Sequence, residues 1–257
     1  MPRPQMTDLH AILLCAGLGS RMLPLTVDRP KCLIEVGGKT ILEHQLHALH
    51  HAGVSRVTVV GGYQIDAIER MFDERVPAAE RPELMFNPFF ADASSIASVW
   101  LMRACLEQDF CILNGDTVYG EALIADAFAR LERGINLLVE PIDAAQPDDM
   151  LVRMADGLVE AVGKRLIFPA ATHRSLGIVA SVGAGSAYRD ALDAVIREPD
   201  GVHRFHHDVI DRLARSQPVA GIVTDGRWVE IDRPDDIASW GQGPEPGTLD
   251  RQAKTAS

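Results

Sequence analysis

Short apolar runs alternate with stretches of helical periodicity, and this alternation constrains the fold more than any other feature. His10 to Cys15, Arg56 to Val60, Glu83 to Phe86, Phe110 to Leu113 and Ile135 to Glu140 read as strands. Thr40 to Ala52, residues 65–72, Ser94 to Leu106 and Glu121 to Arg133 read as helices between them. Such a rhythm packs right-handed βαβ units, so the expected class is α/β, with a mostly parallel, Rossmann-like central sheet and helices on both faces. Ligands of these sheets bind beyond the carboxyl ends of the strands.

After Pro141 the rhythm loosens. Asp148 to Met154, Leu158 to Lys164 and Ser175 to Val182 read as shorter strands and predict a small accessory sheet over the active face, within an acceptor-binding part spanning about 141–215. Helices follow near Ser186 to Arg197 and Phe205 to Arg215, then a strand at Val219 to Val223 and a helix from Pro234 to Trp240. No internal repeat or linker divides residues 1–240, which read as a single domain. Residues 241–257 are rich in Gly, Pro and polar residues without periodicity and read as a disordered tail.

Charge narrows the partners. The 257 residues carry 25 basic and 36 acidic side chains, a formal charge of −11, where a broad nucleic-acid footprint calls for a basic surface. No window approaches the roughly 18 apolar residues of a membrane span, and the segment from Met1 to His10 lacks the pattern of a signal peptide. The expectation is a cytoplasmic protein that binds neither nucleic acid nor membrane. Cys15, Cys32, Cys105 and Cys111 lack metal-site spacing and read as reduced. Only Lys31, Lys39, Lys164 and Lys254 are lysines, so each ammonium is informative in a chain that otherwise uses arginine.

The strongest motif is the run from Leu13 to Thr26, LLCAGLGSRMLPLT, followed by Pro30-Lys31. A strand ends at Cys15, and Gly17 and Gly19 let backbone N–H groups of a close loop converge on one anion. A dinucleotide fingerprint needs a glycine where Met22 stands, and a Walker loop ending at Gly38-Lys39-Thr40 needs one where Leu33 stands. What remains is a different phosphate loop, in which Arg21 forks onto terminal phosphates and Lys31 acts as a point charge at the attacked phosphorus.

This string resembles the loop of the sugar-phosphate and phosphocholine-type nucleotidylyltransferases. Val59 to Tyr63 resembles the family's second strand. Asn87-Pro88-Phe89-Phe90 with Ser94 to Trp100 resembles a cytidylyltransferase segment, with Ser94 and Ser95 where that branch often has asparagines. Leu113 to Asp116 resembles the metal-binding Gly-Asp, and Trp228 to Asp236 the C-terminal W-x-E-I-D-x-P-E-D. The resemblance implies a nucleotide-diphospho-sugar transferase-like fold and a nucleotide site of Cys15, Ala16, Gly17, Gly19, Ser20, Arg21, Gly62, Ser98 and Asp116. It also implies a Gly-Lys lysine, Lys164, at the acceptor phosphate. A homodimer is left open.

A nucleoside triphosphate attacked at its α-phosphorus calls for a divalent cation, and Mg²⁺ takes few protein carboxylates. Asp116 ends an apolar strand, while Glu230 and Asp232 share one face of an extended segment. These three are the expected ligands, whereas Asp235 and Asp236 suit a helix N-terminus. Arg21, Lys31 and Lys164 are the expected catalytic cations. No catalytic base is required, because a phosphate monoester is largely dianionic at neutral pH with a second pKa of about 6.

The expected acceptor contacts are Lys31, Tyr119, Lys164 and Trp228. A quaternary ammonium favours an aromatic cage, for which Tyr119, Phe168 and Trp228 are the available rings. Trp100 reads as core. His203, His206, His207 and Asp208 read as a polar cluster opening a helix, with His207 or Asp208 the less favoured acceptor contacts. His44, His47, His50 and His51 read as surface or interface residues. The leading expectation is a Mg²⁺-dependent transfer of CMP from CTP to a small phosphorylated or phosphonate acceptor, releasing pyrophosphate. A sugar-1-phosphate nucleotidylyltransferase using UTP, dTTP or GTP is the alternative, and a non-catalytic nucleotide-binding domain is the alternative of another class.

Overall fold

A computed structural model describes residues 8–242. Strand β1 (His10–Cys15) leads through a glycine-rich loop to the short hairpin β2 (Glu35–Val36) and β3 (Lys39–Thr40), then to α1 (Ile41–His51). Thr40 and Glu43 close a reciprocal capping box at the start of α1: the Thr40 side chain accepts from the Glu43 N–H, and the Glu43 carboxylate from the Thr40 N–H. Next come β4 (Arg56–Gly61), α2 (Ile65–Arg75), β5 (Glu83–Phe86), α3 (Ser95–Leu101), β6 (Phe110–Asn114), β7 (Thr117–Tyr119), α4 (Glu121–Phe128) and β8 (Gly134–Pro141). The second half contains β9 (Leu151–Ala155), β10 (Leu158–Val162), β11 (His173–Val182), α5 (Gly185–Ile196), α6 (His207–Ala214), β12 (Val219–Val223), β13 (Trp228–Glu230) and α7 (Asp236–Gln242). Gly241 and Gln242 thus extend the last helix, and the remainder of the expected tail, 243–257, lies outside the described residues.

The main sheet has nine strands in the order β5-β4-β1-β6-β11-β8-β12-β10-β9. Its first four strands are parallel, as is the β8–β12 pair, but β11 runs antiparallel between β6 and β8. The sheet is therefore mixed. The run Ser175 to Val182, expected in an accessory sheet, forms most of this central strand. The physical reason is visible in its burial: every residue from Ser175 to Val182 is buried, as a strand covered on both faces requires. At the far edge β9 and β10 form an antiparallel hairpin, and β9 also pairs back onto β11, so that end curls. Two small two-stranded sheets stand apart, β13 with β7 and β2 with β3.

Alternating side chains along β1 divide the core. Ala11, Leu13 and Cys15 join one apolar cluster with residues of α1, α2 and α4, while Ile12 and Leu14 join another with α3, α5 and α6. Removing this apolar surface from water on both faces is the main stabilising term. A third cluster gathers Met22, Ile34, Val36, Ile41, Val118 and Ile231. It lies beneath the loop after β1 and ties that loop to the C-terminal motif. Among the described residues no helix is long and apolar enough to cross a membrane.

Candidate active site

The cleft at the carboxyl end of β1 has a volume of about 420 Å³ and is lined by the whole loop from Cys15 to Met22. Gly19 adopts φ 62°, in the left-handed region, and a Cβ there would sit only 3.1 Å from the Lys31 Cβ. Its carbonyl accepts a 2.9 Å bond from Thr26 Oγ1, and the Ser20–Met22 segment closes as a 3₁₀ turn whose Met22 is buried. The loop is thus pinned below by Met22 and leaves Ser20 and Arg21 exposed at the rim.

Asp116 sits in the tight turn between β6 and β7. Buried Gln45 of α1 holds that turn, its Nε2 donating to the carbonyls of Asn114 at 2.6 Å and Thr117 at 2.8 Å. Pairing of β13 with β7 puts Glu230 opposite Thr117, and the Ile231 N–H donates to the Asp116 carbonyl at 2.9 Å. The ligand atoms of Asp116, Glu230 and Asp232 consequently lie within 4.8 Å of one another. Lys31 bridges two of them, with Nζ at 2.9 Å from Asp116 and 2.6 Å from Asp232. Burial opposes its charge, but the two carboxylates prevail and hold its pKa above the usual lysine value. Arg21 reaches Asp232 at 3.1 Å and Asp148 at 3.2 Å. Glu230 makes no ion pair among the described residues. Desolvation, followed by repulsion from Asp116 and Asp232, pushes its pKa up to about 8. Three hard oxygen donors converging within 4.8 Å of one another, whose mutual repulsion a cation would relieve, form a set that suits a small divalent cation.

The other half of the cleft is built by the second half of the chain. Lys164 Nζ lies 3.6 Å from Asp148 and 5.1 Å above the Phe205 ring. Arg174 pairs with Glu140 at 2.5 Å and Asp149 at 3.2 Å and lies 4.8 Å over the Trp228 ring, whose Nε1 donates to Glu140 at 2.8 Å. His207 is buried on the same wall and bonds Ser175 Oγ at 2.9 Å. Burial, His206 and Lys164 keep its pKa well below the usual histidine value.

Of the expected residues, Cys15, Ala16, Gly17, Gly19, Ser20, Arg21, Lys31, Ser98, Asp116, Lys164, Trp228 and Glu230 line this cleft. Asp232 lines an adjoining recess and reaches Lys31 and Arg21 from there. Two expectations need correction. Tyr119 is 1% exposed and donates to the Leu176 carbonyl at 2.7 Å, so it is a core residue and not an acceptor contact; the alternation of β7 turns it inward. Gly62 lies behind the loop and outside the cleft lining, where a Cβ would come within 2.5 Å of Phe90 Cβ and 2.8 Å of the Ala16 carbonyl, so its smallness serves close packing. Phe168 lies outside the cleft lining, where Phe90 and Phe205 are the phenyl rings alongside Trp228.

Ser94 and Ser95 line the cleft, and Ser95 Oγ accepts from the His206 N–H at 3.1 Å, anchoring the segment that carries His207. Asn87 is buried and donates to Ser98 at 2.9 Å, which fixes that hydroxyl. Trp100 is half-buried against the α3–α5 core and donates to Asp193 at 3.1 Å. Asp236 accepts from the Asp232 and Arg233 N–H groups at 2.8 and 2.6 Å, holding the bend after β13. His47, His50 and His51 are exposed, while His44 is half-buried against Trp240 and bonds the Val36 carbonyl. Gln45, Asp148, Asp149, Arg174 and Phe205 carried no motif signal, because each acts through a partner distant in sequence.

A glycine loop at the end of the first parallel strand, facing a lysine and three converging carboxylates, defines a nucleotidyltransferase-type α/β fold. The chain belongs to the MobA-like NTP transferase domain family, which matches residues 11–176. Among curated relatives, the CTP:phosphoglutamine cytidylyltransferase of Campylobacter jejuni is 32% identical over 117 residues, 43% of this chain and 45% of that protein. The CMP-5'-(3-aminopropyl)phosphonate synthase of Streptomyces rubellomurinus is 28% identical over 243 residues, 91% of this chain and 38% of that protein. The chain thus spans less than half the length of either. Among solved structures, the CTP:phosphocholine cytidylyltransferase of Streptococcus pneumoniae superposes with a TM-score of 0.75 at 21% identity, covering 90% of this chain and 97% of that one, a likeness of fold.

Proposed function

We propose that the protein is a cytidylyltransferase that transfers CMP from CTP to a small phosphorylated or phosphonate acceptor and releases pyrophosphate. The observation that carries this reading is the convergence of the Gly17–Arg21 loop, Lys31 and the Asp116, Glu230 and Asp232 carboxylates on one side of a cleft whose other side holds Lys164. The relatives named for CTP and for phosphonate or phosphorylated partners support it.

The loop amides and Arg21 receive the β- and γ-phosphates, which leave as pyrophosphate. Asp116, Asp232 and Glu230 would hold Mg²⁺, which when bound neutralises charge developing on the α-phosphate. Lys31, already seated between Asp116 and Asp232, swings its ammonium onto the attacked phosphoryl group. Lys164 meets the acceptor dianion and offsets its repulsion from the triphosphate. Because the acceptor oxygen is ionised at neutral pH, the residues supply alignment and charge compensation, with no base and no covalent enzyme intermediate. Ser98, fixed by Asn87, completes the nucleotide wall.

The faces of Trp228 and Phe205 are already covered by Arg174 and Lys164. This supports an acceptor recognised through its phosphate or phosphonate in preference to a quaternary ammonium seated in an aromatic cage. Pyrophosphate release measured with CTP, UTP, GTP, ATP and dTTP against phosphocholine, 2-aminoethylphosphonate, polyol phosphates and sugar 1-phosphates tests the proposal. Turnover with CTP and a phosphonate or phosphate monoester is expected. Turnover confined to UTP or dTTP with a sugar 1-phosphate would overturn it.

A further inference from the structure

We propose that His207 is an acceptor-binding residue that presents an uncharged Nδ1–H donor to the phosphoryl oxygen held by Lys164; this rests on the acceptor site described above. The argument begins with the irregularity in β11. Its register against β8 shifts between Ser175 and Val179, and Gly177 within the shift has φ 76°. A bulge of this kind re-aims a side chain beside a site. Here it turns Ser175 Oγ inward, where the hydroxyl accepts a 3.0 Å bond from the Gly177 N–H. The same oxygen lies 2.9 Å from His207 Nε2.

A hydroxyl has one proton to donate. The Gly177 N–H takes one of the two lone pairs of this hydroxyl, and Nε2 is the acceptor that the described residues offer its proton, so we assign the Ser175 O–H as the donor to an unprotonated Nε2. The proton of neutral His207 therefore sits on Nδ1. That atom has no hydrogen-bond partner among the described residues, and the side chain lines the cleft. The neighbourhood keeps the ring neutral: it is buried, stacked at 4.1 Å on the fully buried His206 and close to the Lys164 ammonium. Asp208, which opens the same helical turn, is occupied with the Phe205 N–H and Arg204 and does not bond the ring. Lys164 supplies charge, and His207 supplies direction without adding a second charge that Lys164 would repel.

Two substitutions separate this role from a structural one. In His207→Asn the amide nitrogen replaces Nδ1 and the Ser175 tether is lost. In His207→Gln the amide replaces Nε2, so the tether remains and the Nδ1 donor is lost. The expected result is that His207→Gln lowers kcat/KM for the best acceptor by roughly 10- to 100-fold, carried mainly by KM, with the KM for CTP unchanged, whereas His207→Asn retains most of the activity. A purely structural histidine gives the reverse order and overturns the proposal, as does an equal loss in both variants with both still folded by circular dichroism.

An independent readout is ¹⁵N NMR of the full-length wild-type protein titrated with 2-aminoethylphosphonate without nucleotide. The Nδ1–H tautomer of His207, with a shift of that nitrogen on ligand addition, is expected. An Nε2–H tautomer, or an Nδ1 resonance that saturating phosphonate leaves unmoved, refutes it. If no nucleotide and acceptor pair turns over, the cytidylyltransferase reading fails, and the NMR result still decides the role of His207.

Discussion

Replacing Lys31 by methionine keeps the apolar stem and removes the one charge shared by Asp116 and Asp232. At an effective dielectric of about 20, each contact near 3 Å represents a gross attraction of about 5–6 kcal/mol, most of which is cancelled by desolvation of the ammonium and by solvent entering the cleft. Side-chain exposures of 13% for Lys31, 28% for Asp116 and 17% for Asp232 place the cluster between surface and core. A net loss of about 2–3 kcal/mol follows, and for a chain of this size the melting temperature in EDTA falls by about 5–10 °C. Asp116 and Asp232 then lose their shared ammonium, with Arg21 still on Asp232 and Lys164 still acting on Glu230, so the variant binds Mg²⁺ more tightly than the wild type. At a hundredfold excess over its dissociation constant the ion returns about 2.7 kcal/mol. The assay is thermal unfolding with and without Mg²⁺, set beside pyrophosphate release. Lys31→Met should recover its stability in Mg²⁺ while turnover remains at least a hundredfold reduced. A melting temperature unchanged in EDTA, or a smaller Mg²⁺ response than that of the wild type, would refute the reasoning.

Burial lowers the pKa of His206 to about 4, and neither ring nitrogen has a partner. The unfolded chain takes up this proton near pH 6.5 and the folded one only near 4, so the stability of the neutral ring is fully present above 6.5 and is lost as pH falls toward 4, by about 3 kcal/mol. His206→Leu should flatten this part of the acid unfolding profile in chemical denaturation; an unaltered pH slope would count against it. Tyr119→Phe should cost about 1 kcal/mol of stability by removing the bond to the Leu176 carbonyl, and leave acceptor KM unchanged in initial-rate assays. Gly62→Ala forces its Cβ onto the Ala16 carbonyl and should raise the KM for CTP through the displaced loop, with a smaller effect on acceptor KM.

The sequence by itself determined the parallel half of the sheet and the side of the cleft that holds the glycine loop and the carboxylates. Strand β1 has the bounds that its apolar run predicts, because a run buried on both faces and stopped by glycine admits few alternatives. The loop, Lys31, Asp116, Glu230 and Asp232 were legible because each sits in a local string whose residue types suit an anion or a cation. Tertiary structure alone decided the rest. It put the Ser175–Val182 strand at the centre of the sheet, turned Tyr119 into the core and brought Arg174, Phe205 and His207 to the opposite wall of the cleft. The physical reason is range. A glycine loop makes its site from neighbours in sequence, whereas the opposite wall depends on side chains joined through pairing of strands and stacking of rings far apart in the chain. Lys31 shows both levels at once: its type and position were written in the sequence, and the two carboxylates it bridges, 85 and 201 residues away, became its partners only when the chain folded.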